Sequence, residues 1–217
     1  MAADHASKSS PGAFADARAQ WDERFSRPGL LFGDQPNRFL ASQATQLAPR
    51  SKVLSVADGE GRNALYLASL GHEVCAFDLS PVAVAKARAL ADQRGMQAEL
   101  QVSSVDDWDW GARTWDAVAA IFVQFADPAM RRRMFSGMWS SLRPGGLLLV
   151  QGYTPRQLEF RTGGPGRIEH LYTSELLREL LPQAQWLLLR EYEEDIAEGS
   201  AHCGRSALLA GVARKPD

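Results

Sequence analysis

The sequence predicts a doubly wound α/β fold on a mostly parallel, seven-stranded sheet with one antiparallel strand near its edge. Short apolar runs alternate with helical patterns over residues 52–152, an order typical of βαβ units and a parallel sheet. Helices in this stretch end at Gly71 and Gly95, as glycine commonly follows a helix C-terminus. The last two apolar runs are joined by a loop without a helix, which suits an antiparallel pair since parallel neighbours need a crossover.

The elements follow one another in a regular order. Helical periodicity first appears over residues 14–25 and 36–47, ahead of the sheet. Strands are predicted at residues 52–57, 73–77, 97–102, 115–122, 147–152, 186–193 and 205–214. Helices between the strands are predicted at residues 62–69, 81–94, 128–142 and 173–181. Ser80-Pro81 supports one of these helix starts, because serine is a favoured N-cap and proline suits the first helical position.

The chain length limits the number of domains, and the charge limits the classes of binding partner. A chain of 217 residues, 45% hydrophobic, suits one domain with a sizeable core. We expect a disordered leader at residues 1–13 and a single domain at 14–217, with a helical lid at 14–50. The net charge is −2 and the charges are interspersed; the basic cluster at residues 131–133 is interpreted as a solvated helix face. Nucleic-acid affinity depends on a basic surface, so no nucleic-acid partner is predicted.

The cysteines and the apolar segments of the sequence indicate the cellular compartment of the protein. Cys75 and Cys203 lack the spacing of a zinc site or of a disulfide framework, which predicts no metal and a reducing compartment. The chain start has no apolar signal region, and no run approaches the ~18 apolar residues of a membrane span. We therefore expect a cytoplasmic monomer or homodimer without a membrane partner.

The turn after the first strand carries the strongest chemical signal. Residues 53–63 form an apolar strand, a turn with Gly59 and Gly61, and a helix start. Ligands of open α/β sheets lie outside the carboxyl ends of the strands, and glycine lets backbone approach a ligand closely. An ordinary strand-to-helix turn is the alternative interpretation.

Two further turns extend this signal. Asp78 ends the second strand, where a carboxylate can accept both hydroxyls of a ribose, or can instead cap the turn before Ser80. Ser104 and Val105 follow the third strand, where an adenine edge would be held, although an acidic surface loop is equally compatible. Because the spacing of the two glycines and the acid also fits a dinucleotide fingerprint, these turns indicate an adenosine-type cofactor without choosing one.

Taken together with its flanking segments, the chain resembles class I S-adenosylmethionine-dependent methyltransferases over about residues 20–214. Residues 21–25, with Phe32-Gly33 and Pro36-Asn37, look like the N-terminal segment of the small tellurite-resistance-type enzymes. Residues 60–63 and 78–81 look like their cofactor turns, and 142–146 resembles the turn before strand five of the wider superfamily.

The resemblance implies S-adenosyl-L-methionine as the cofactor and assigns its neighbours. The cofactor-binding residues would be Ala57, Gly59 and Gly61 at the methionine, Asp58 at its ammonium, Asp78 and Leu79 at the ribose and adenine, Ser104 and Val105 at the adenine edge, and Ile121 and Phe122 as the inner wall. The chain departs from the family where Ser55 and Ala57 replace its usual acid and glycine, and where Ser104 replaces an acid unless Asp106 takes that part.

The predicted reaction is methyl transfer to a small molecule by in-line displacement. Candidates to orient or deprotonate the acceptor are Tyr153, His170 and His202, each of which could instead be a surface or packing residue. Trp21 and Phe32 are candidates for a lid that excludes water, or for simple packing of the first helix. The alternatives are a cofactor-binding protein of the same fold without transfer activity and an NAD(P)-dependent oxidoreductase.

Overall fold

Seven strands form one sheet in the computed structural model, which describes residues 11–217, with side chains from Asp16 onward. The strands are β1 Lys52–Val56, β2 Glu73–Asp78, β3 Glu99–Val102, β4 Trp115–Ile121, β5 Leu142–Tyr153, β6 Gln185–Glu198 and β7 His202–Arg214. The helices are α1 Pro11–Phe25, α2 Arg38–Gln43, α3 Arg62–Ser69, α4 Pro81–Arg94, α5 Pro128–Ser141, α6 Gln157–Phe160 and α7 Ser174–Leu180, with short 3₁₀ turns at Ala44–Gln46 and Ile168–His170.

The sheet order is β3-β2-β1-β4-β5-β7-β6. Pairing is parallel from β3 to β5, and β7 runs antiparallel to both of its neighbours. The predicted doubly wound sheet with one antiparallel strand near the edge is thus confirmed. All parallel strands end at one edge, which brings the three predicted turns together.

The sheet separates two apolar layers, and alternate residues of a strand enter opposite layers. Leu54 of β1 packs into the layer that α5 and α7 cover, whereas Val53 packs under α2, α3 and α4. Burial on both faces explains why the central strands are apolar at successive positions rather than at every second one.

Several boundaries differ from the prediction. Helix α1 begins at Pro11, so residues 11–13 of the predicted leader are helical, and residues 1–10 lie outside the described residues. Strand β5 begins at Leu142, because the predicted turn before it is an irregularity of the ladder with β4. Helix α6 and the second 3₁₀ turn lie in a stretch predicted as a loop.

The last hairpin is longer than predicted. Strands β6 and β7 pair along their full length, up to the Glu198–His202 pair, so the expected acidic loop is mostly strand with a three-residue turn. Its tip consequently reaches the edge where the cofactor turns lie.

The interpretation of residues 131–133 as a solvated face is wrong for Arg131. This side chain is buried and donates from Nη1 to the Glu169 carbonyl oxygen at 2.6 Å, which ties α5 to the second 3₁₀ turn. Within residues 11–217, no helix has the length and apolar character needed to cross a membrane.

Candidate active site

Asp78 connects two of the predicted turns. Its Oδ2 accepts from the Gly59 backbone N–H at 2.9 Å, and its Oδ1 accepts from the Ser80 N–H at 2.9 Å. Burial raises the pKa of this carboxyl to about 6, although the two N–H donors oppose the rise. Each oxygen keeps a second lone pair, so the carboxylate braces the turns and can still accept a further hydroxyl. The half-buried Leu79 follows it.

Asp58 is held by the chain itself. Its carboxylate accepts from the Ser55 hydroxyl at 2.6 Å and from the Ala64 N–H at 3.1 Å, at the start of α3. Desolvation raises the pKa of this carboxyl to about 6, and the Ser55 and Ala64 donors oppose that rise. Ser55, one of the departures from the family pattern, therefore acts as the partner of Asp58.

The predicted glycines have different surroundings. A Cβ on Gly61 would lie 2.8 Å from the Cβ of Ala87, so this glycine allows α4 to pack against the start of α3. A Cβ on Gly59 would lie 3.3 Å from Cζ of Phe25, so this glycine faces the end of α1. Ala57 has a φ of +48°, a left-handed conformation that a Cβ disfavours.

The turn after β3 lies beside Asp78, because the Ser103 N–H donates to the Asp78 carbonyl oxygen at 3.0 Å. Ser104 is buried and donates from its hydroxyl to Asp107 Oδ2 at 2.7 Å. Val105 is buried behind it. The Asp106 carboxylate accepts from Arg133 Nε and Nη2 at 2.9 and 2.7 Å.

Four rings form a cluster at the ends of β4 and β5. His202 lies 4.6 Å from Phe32, 4.3 Å from Phe122 and 5.7 Å from Tyr153, between ring centroids. Phe122 follows the buried Ile121 and has a φ of +56°, with its N–H donating to the Gln151 carbonyl oxygen. We call Phe32, Phe122, Tyr153 and His202 the ring cluster.

Two buried polar atoms of the ring cluster have no hydrogen-bond partner among the described residues, namely His202 Nδ1 and the Tyr153 hydroxyl. Burial lowers the pKa of His202 to about 3, assisted by the positive charges of Arg62 and Arg24. Burial raises the pKa of Tyr153, and the nearby Ser206 hydroxyl opposes the rise. The two hydroxyls do not have the geometry of a hydrogen bond. Both side chains are therefore uncharged at neutral pH.

His170 is placed apart from these rings. Its Nδ1 lies 3.1 Å from the Gln124 carbonyl oxygen, and its own carbonyl accepts from Gln124 Nε2 at 3.1 Å. It makes no ring contact with the ring cluster within residues 16–217. The sequence named His170 and His202 alike, and the structure brings only His202 to the rings.

Residues 27–37, which we call the strap, run across this edge. The Leu31 N–H donates to Glu60 Oε2 at 2.6 Å, and the Leu31 carbonyl accepts from the Ser200 N–H at 3.1 Å. Lys86 Nζ donates to the Arg27 and Gly29 carbonyl oxygens at 2.9 and 2.8 Å. The strap is thus fastened both to the cofactor turn and to the β6–β7 hairpin.

The end of the strap enters a buried polar network that the sequence did not reveal. Asn37 Nδ2 donates to Gln151 Oε1 at 2.6 Å and to Glu198 Oε1 at 2.9 Å. Glu198 Oε2 binds Arg62 Nη2 at 2.6 Å. The two motifs that contain Asn37 and Arg62 were the available signals, but the shared partner of these residues, Glu198, lies in a strand segment predicted as a loop.

The aromatic end of α1 closes the same edge. Phe25 is buried, stacks on Trp21 with 5.5 Å between centroids, and lies 6.1 Å from Phe32. The cavity beside Asp58, Gly59 and Asp78 measures about 10 Å³. A larger, open groove of about 1160 Å³ lies at the opposite edge of the sheet and contains none of the motif residues.

Comparison with known proteins identifies the domain. Residues 53–146 match the family model described as a methyltransferase domain. This range is therefore similar to methyltransferase domains. The matched range contains the turns after β1, β2, β3 and β4, whereas the strap and the last hairpin lie outside it.

Two curated relatives of this chain are named for tRNA. The tRNA 5-carboxymethoxyuridine methyltransferase of Escherichia coli (strain K12) is 28% identical over 150 residues, covering 67% of this chain and 55% of that protein. The tRNA N(3)-methylcytidine methyltransferase Mettl2 of Drosophila melanogaster is 26% identical over 167 residues, covering 67% of this chain and 51% of that protein. The chain spans about half the length of the curated relatives it matches.

Solved structures share the fold at lower identity. One, from work on the conversion of a disulfide bond into a thioacetal group during echinomycin biosynthesis, has a TM-score of 0.74 at 19% identity and covers 92% of this chain and 93% of its own. TehB from Haemophilus influenzae has a TM-score of 0.67 at 15% identity, covering 91% of this chain and 66% of the TehB chain. The N-methyltransferase NodS from Bradyrhizobium japonicum WM9, in complex with S-adenosyl-L-homocysteine, has a TM-score of 0.67 at 15% identity. That match covers 92% of this chain and 98% of the NodS chain. These likenesses show that the fold is shared over most of the chain.

Proposed function

We propose that this chain is an S-adenosylmethionine-dependent methyltransferase that acts on a small-molecule acceptor. The observation that carries the proposal is the position of Asp78. Its carboxylate ends β2 and braces Gly59 and Ser80, at the edge where ligands of this fold bind. The named methyltransferase relatives and the matched domain support the same activity.

The donor set fits an adenosine-type cofactor in its chemistry. Asp78 offers free lone pairs to two ribose hydroxyls, Ser104 and Val105 lie beside it, and Gly59 presents backbone without a Cβ. Leu79, Ile121 and Phe122 would bound the same site, with Ala57, Asp58 and Gly61 forming the turn. Because Phe25 lies against Gly59 and leaves little volume, we propose that α1 and the strap move to admit the cofactor.

The chain's own residues would position the acceptor. The cofactor supplies an electrophilic methyl group when bound. Holding the acceptor in line with that group is a proximity effect that contributes about 7–11 kcal/mol in well-oriented reactions. His202, with a pKa lowered by burial to about 3, is neutral at pH 7 and suits a hydrogen-bonding part better than that of a strong base. Tyr153 lies beside it, and Trp21 and Phe32 would exclude water as parts of the lid.

His170 takes a different part in the proposal. Its hydrogen bonds to Gln124 suit a residue that fixes the loop after β4 rather than one that deprotonates an acceptor. We further propose a cytoplasmic site of action, as monomer or homodimer, which the two free thiols of Cys75 and Cys203 support.

A tRNA acceptor is the second candidate, favoured by the names of the two curated relatives. Against it stand the net charge of −2 over the chain and the strap that covers the candidate site. Nucleic-acid affinity rests largely on contacts between basic side chains and phosphates, so a small acceptor fits this charge balance better.

The test is isothermal titration with S-adenosylmethionine, S-adenosylhomocysteine and NAD, followed by a transfer assay. We expect both sulfur compounds to bind and NAD to give no heat. Asp78→Ala should lose this binding, whereas Asp92→Ala, which removes an exposed acid of α4, should keep it. Circular dichroism of each variant checks the fold.

The transfer assay uses tritiated methyl donor with a small-acceptor library and with bulk tRNA. Methylation of tRNA alone would replace the small-molecule assignment. Failure of both sulfur compounds to bind the folded wild-type protein would refute the cofactor assignment.

A further inference from the structure

Two adjacent side chains of the ring cluster carry polar atoms whose hydrogen-bonding capacity is unused. His202 is 8% exposed and Tyr153 is 1% exposed, yet His202 Nδ1 and the Tyr153 hydroxyl find no partner among the described residues. Buried polar atoms are nearly always hydrogen-bonded, so a pair of unused ones in neighbouring side chains calls for a ligand that supplies the bonds. Their rings meet edge to face, at 82°.

The groups that pack on these two rings include an aromatic ring and a glycine backbone, and the Ser206 hydroxyl lies near the Tyr153 hydroxyl without hydrogen-bond geometry. Phe122 lies 4.8 Å from Tyr153 and 4.3 Å from His202, between centroids. The backbone of Gly164 lies against the Tyr153 ring, because a Cβ there would come within 2.7 Å of Tyr153 Cδ2. Such walls suit a flat ring better than a branched or extended group.

The charges nearby favour an uncharged ligand. Arg62 and Glu198 form a direct ion pair at 2.6 Å with both side chains buried, so neither group is available to pair with a ligand. Arg24 is turned toward the Trp21 ring, with its guanidinium carbon 4.4 Å from the centroid. An ammonium beside His202 would meet the positive field of both arginines. A carboxylate would lose its hydration beside two arginines that are already engaged elsewhere.

Phe32 is the member of the ring cluster that the strap supplies. This strap residue, fastened by the hydrogen bonds of Leu31, sits on His202 at 4.6 Å between centroids. Its benzyl group covers the imidazole but offers no partner to Nδ1. Phe32 therefore occupies the face of His202 that the ring of a ligand would need.

Granted the function proposed above, we propose that the methyl acceptor is a small, uncharged aromatic compound bearing a hydroxyl group. Its ring takes the place of the Phe32 ring. Its hydroxyl donates to His202 Nδ1 and accepts from the Tyr153 hydroxyl, because a hydroxyl is both donor and acceptor. In the transfer, the hydroxyl oxygen bonds to the methyl carbon as the carbon–sulfur bond breaks, and sulfur keeps the electron pair. The hydroxyl proton becomes strongly acidic as the oxygen gains the methyl group and is released to water, while His202 Nδ1 serves only as its hydrogen-bond acceptor.

Three probes of one shape separate the acceptor classes, namely 4-methylphenol, 4-methylbenzoate and 4-methylbenzylammonium. Each is titrated calorimetrically into the protein saturated with S-adenosylhomocysteine. We expect the phenol to bind at least about tenfold more tightly than either charged probe, because neither charge is compensated. Phe32→Ala should tighten phenol binding by removing the competing ring.

His202→Phe should weaken phenol binding about tenfold, the loss expected for one buried hydrogen bond. His72→Phe is the matched control, since His72 is also buried with an unpartnered Nδ1 but lies in the groove at the opposite sheet edge. Thermal unfolding confirms that both variants fold, and Tyr153→Phe gives a second route to the same loss.

Equal or tighter binding of a charged probe, or an effect of His72→Phe as large as that of His202→Phe, would overturn the acceptor assignment. The cofactor titration is independent of it. Normal binding of S-adenosylhomocysteine with no phenol preference refutes only the acceptor class, whereas its absence refutes the proposed function.

Discussion

Arg62 and Glu198 form a buried ion pair, with 2.6 Å between Nη2 and Oε2, across 136 residues of sequence. Arg62 begins α3 directly after the glycine turn, and Glu198 ends β6. The same carboxylate accepts from Asn37, at the end of the strap. One carboxylate thus holds the cofactor turn, the strap and the last hairpin in a fixed arrangement.

Removing one partner of this pair should be costly. Glu198→Ala leaves a buried guanidinium without compensation, and we expect a loss of about 3–5 kcal/mol in the free energy of unfolding. The double variant Arg62→Met with Glu198→Met should recover much of it. Glu99→Ala breaks the exposed pair with Arg113 and should cost less than about 1 kcal/mol. Urea denaturation measures all three, and equal losses for Glu198→Ala and Glu99→Ala would contradict the expectation.

Ala57→Gly should stabilise the protein. Ala57 has a φ of +48°, where a Cβ is unfavourable and glycine is not. We expect a gain of up to about 1 kcal/mol, reduced by the greater freedom of glycine in the unfolded chain. Ala85→Gly, at an exposed position inside α4, should instead lose about 1 kcal/mol. A destabilisation by Ala57→Gly in thermal unfolding would show that packing of the Ala57 Cβ stabilises the fold by more than its positive φ costs.

Cofactor affinity should fall in acid. Burial raises the pKa of Asp78 to about 6, so its carboxylate, the form that accepts two hydroxyls, is lost below that pH. Between pH 7.5 and 5.0 the dissociation constant of S-adenosylhomocysteine should rise about tenfold, as one proton taken up below pH 6 requires. The Asp78→Asn variant should lose this dependence. Asp58, whose pKa is also raised to about 6, titrates in the same window, so Asp58→Asn is the necessary comparison.

The same shift has a consequence for folding with a defined sign. Because the folded pKa of Asp78 lies above its ordinary value of 3.8, the ionised form opposes folding. Its contribution to stability is complete below about pH 4 and is lost as the pH rises through 6. A matching trend in urea midpoints, reduced in Asp78→Asn and abolished when Asp58→Asn is added, would confirm this sign.

Gly199 should control the closure of the strap. A Cβ at this position would collide with the backbone of Phe32 and Gly33, so Gly199→Ala should push the strap outward. Hydrogen exchange of the Leu31 and Gly33 amides should then accelerate. Gly71→Ala is the control, because Gly71 also has a positive φ but a Cβ added to it would meet nothing within 4 Å. Equal exchange in both variants would mean that backbone strain, and not the contact, accounts for any change.

The two cysteines should differ in reactivity. Cys75 is buried in β2, and desolvation raises the pKa of its thiol to about 12, whereas Cys203 is exposed. Ellman's reagent should therefore label one thiol per native chain rapidly and the second only after denaturation. Cys203→Ser should abolish the rapid phase, and its persistence would place Cys75 within reach of solvent.

Sequence reasoning found the sheet and the cofactor turns because their signals are local. The apolar periodicity of β1 and β2, the glycines after them and the acid at Asp78 all lie within about thirty residues. The polar network was missed because its contacts are not local: Asn37 and Glu198 are 161 residues apart. No periodicity reports such a pairing.

The ring cluster lies between these extremes. Each of its members was named from the sequence, but their meeting depends on the exact length of the β6–β7 hairpin. A register that pairs Glu198 with His202 lifts the imidazole to the sheet edge, where Phe122 and Phe32 meet it. His170 had the same claim by residue type, and only the fold of the 3₁₀ turn tied it to Gln124 instead.

The sheet order has a consequence for biosynthesis. Strand β6 joins the sheet only through β7, which is inserted between β5 and β6. The hairpin tip that holds Leu31 through Ser200 therefore cannot take its place until β7 has left the ribosome. The turns at Gly59 and Asp78 therefore remain uncovered on the nascent chain until β7 has been synthesised, and this edge of the sheet closes later than the parallel part of the sheet can form.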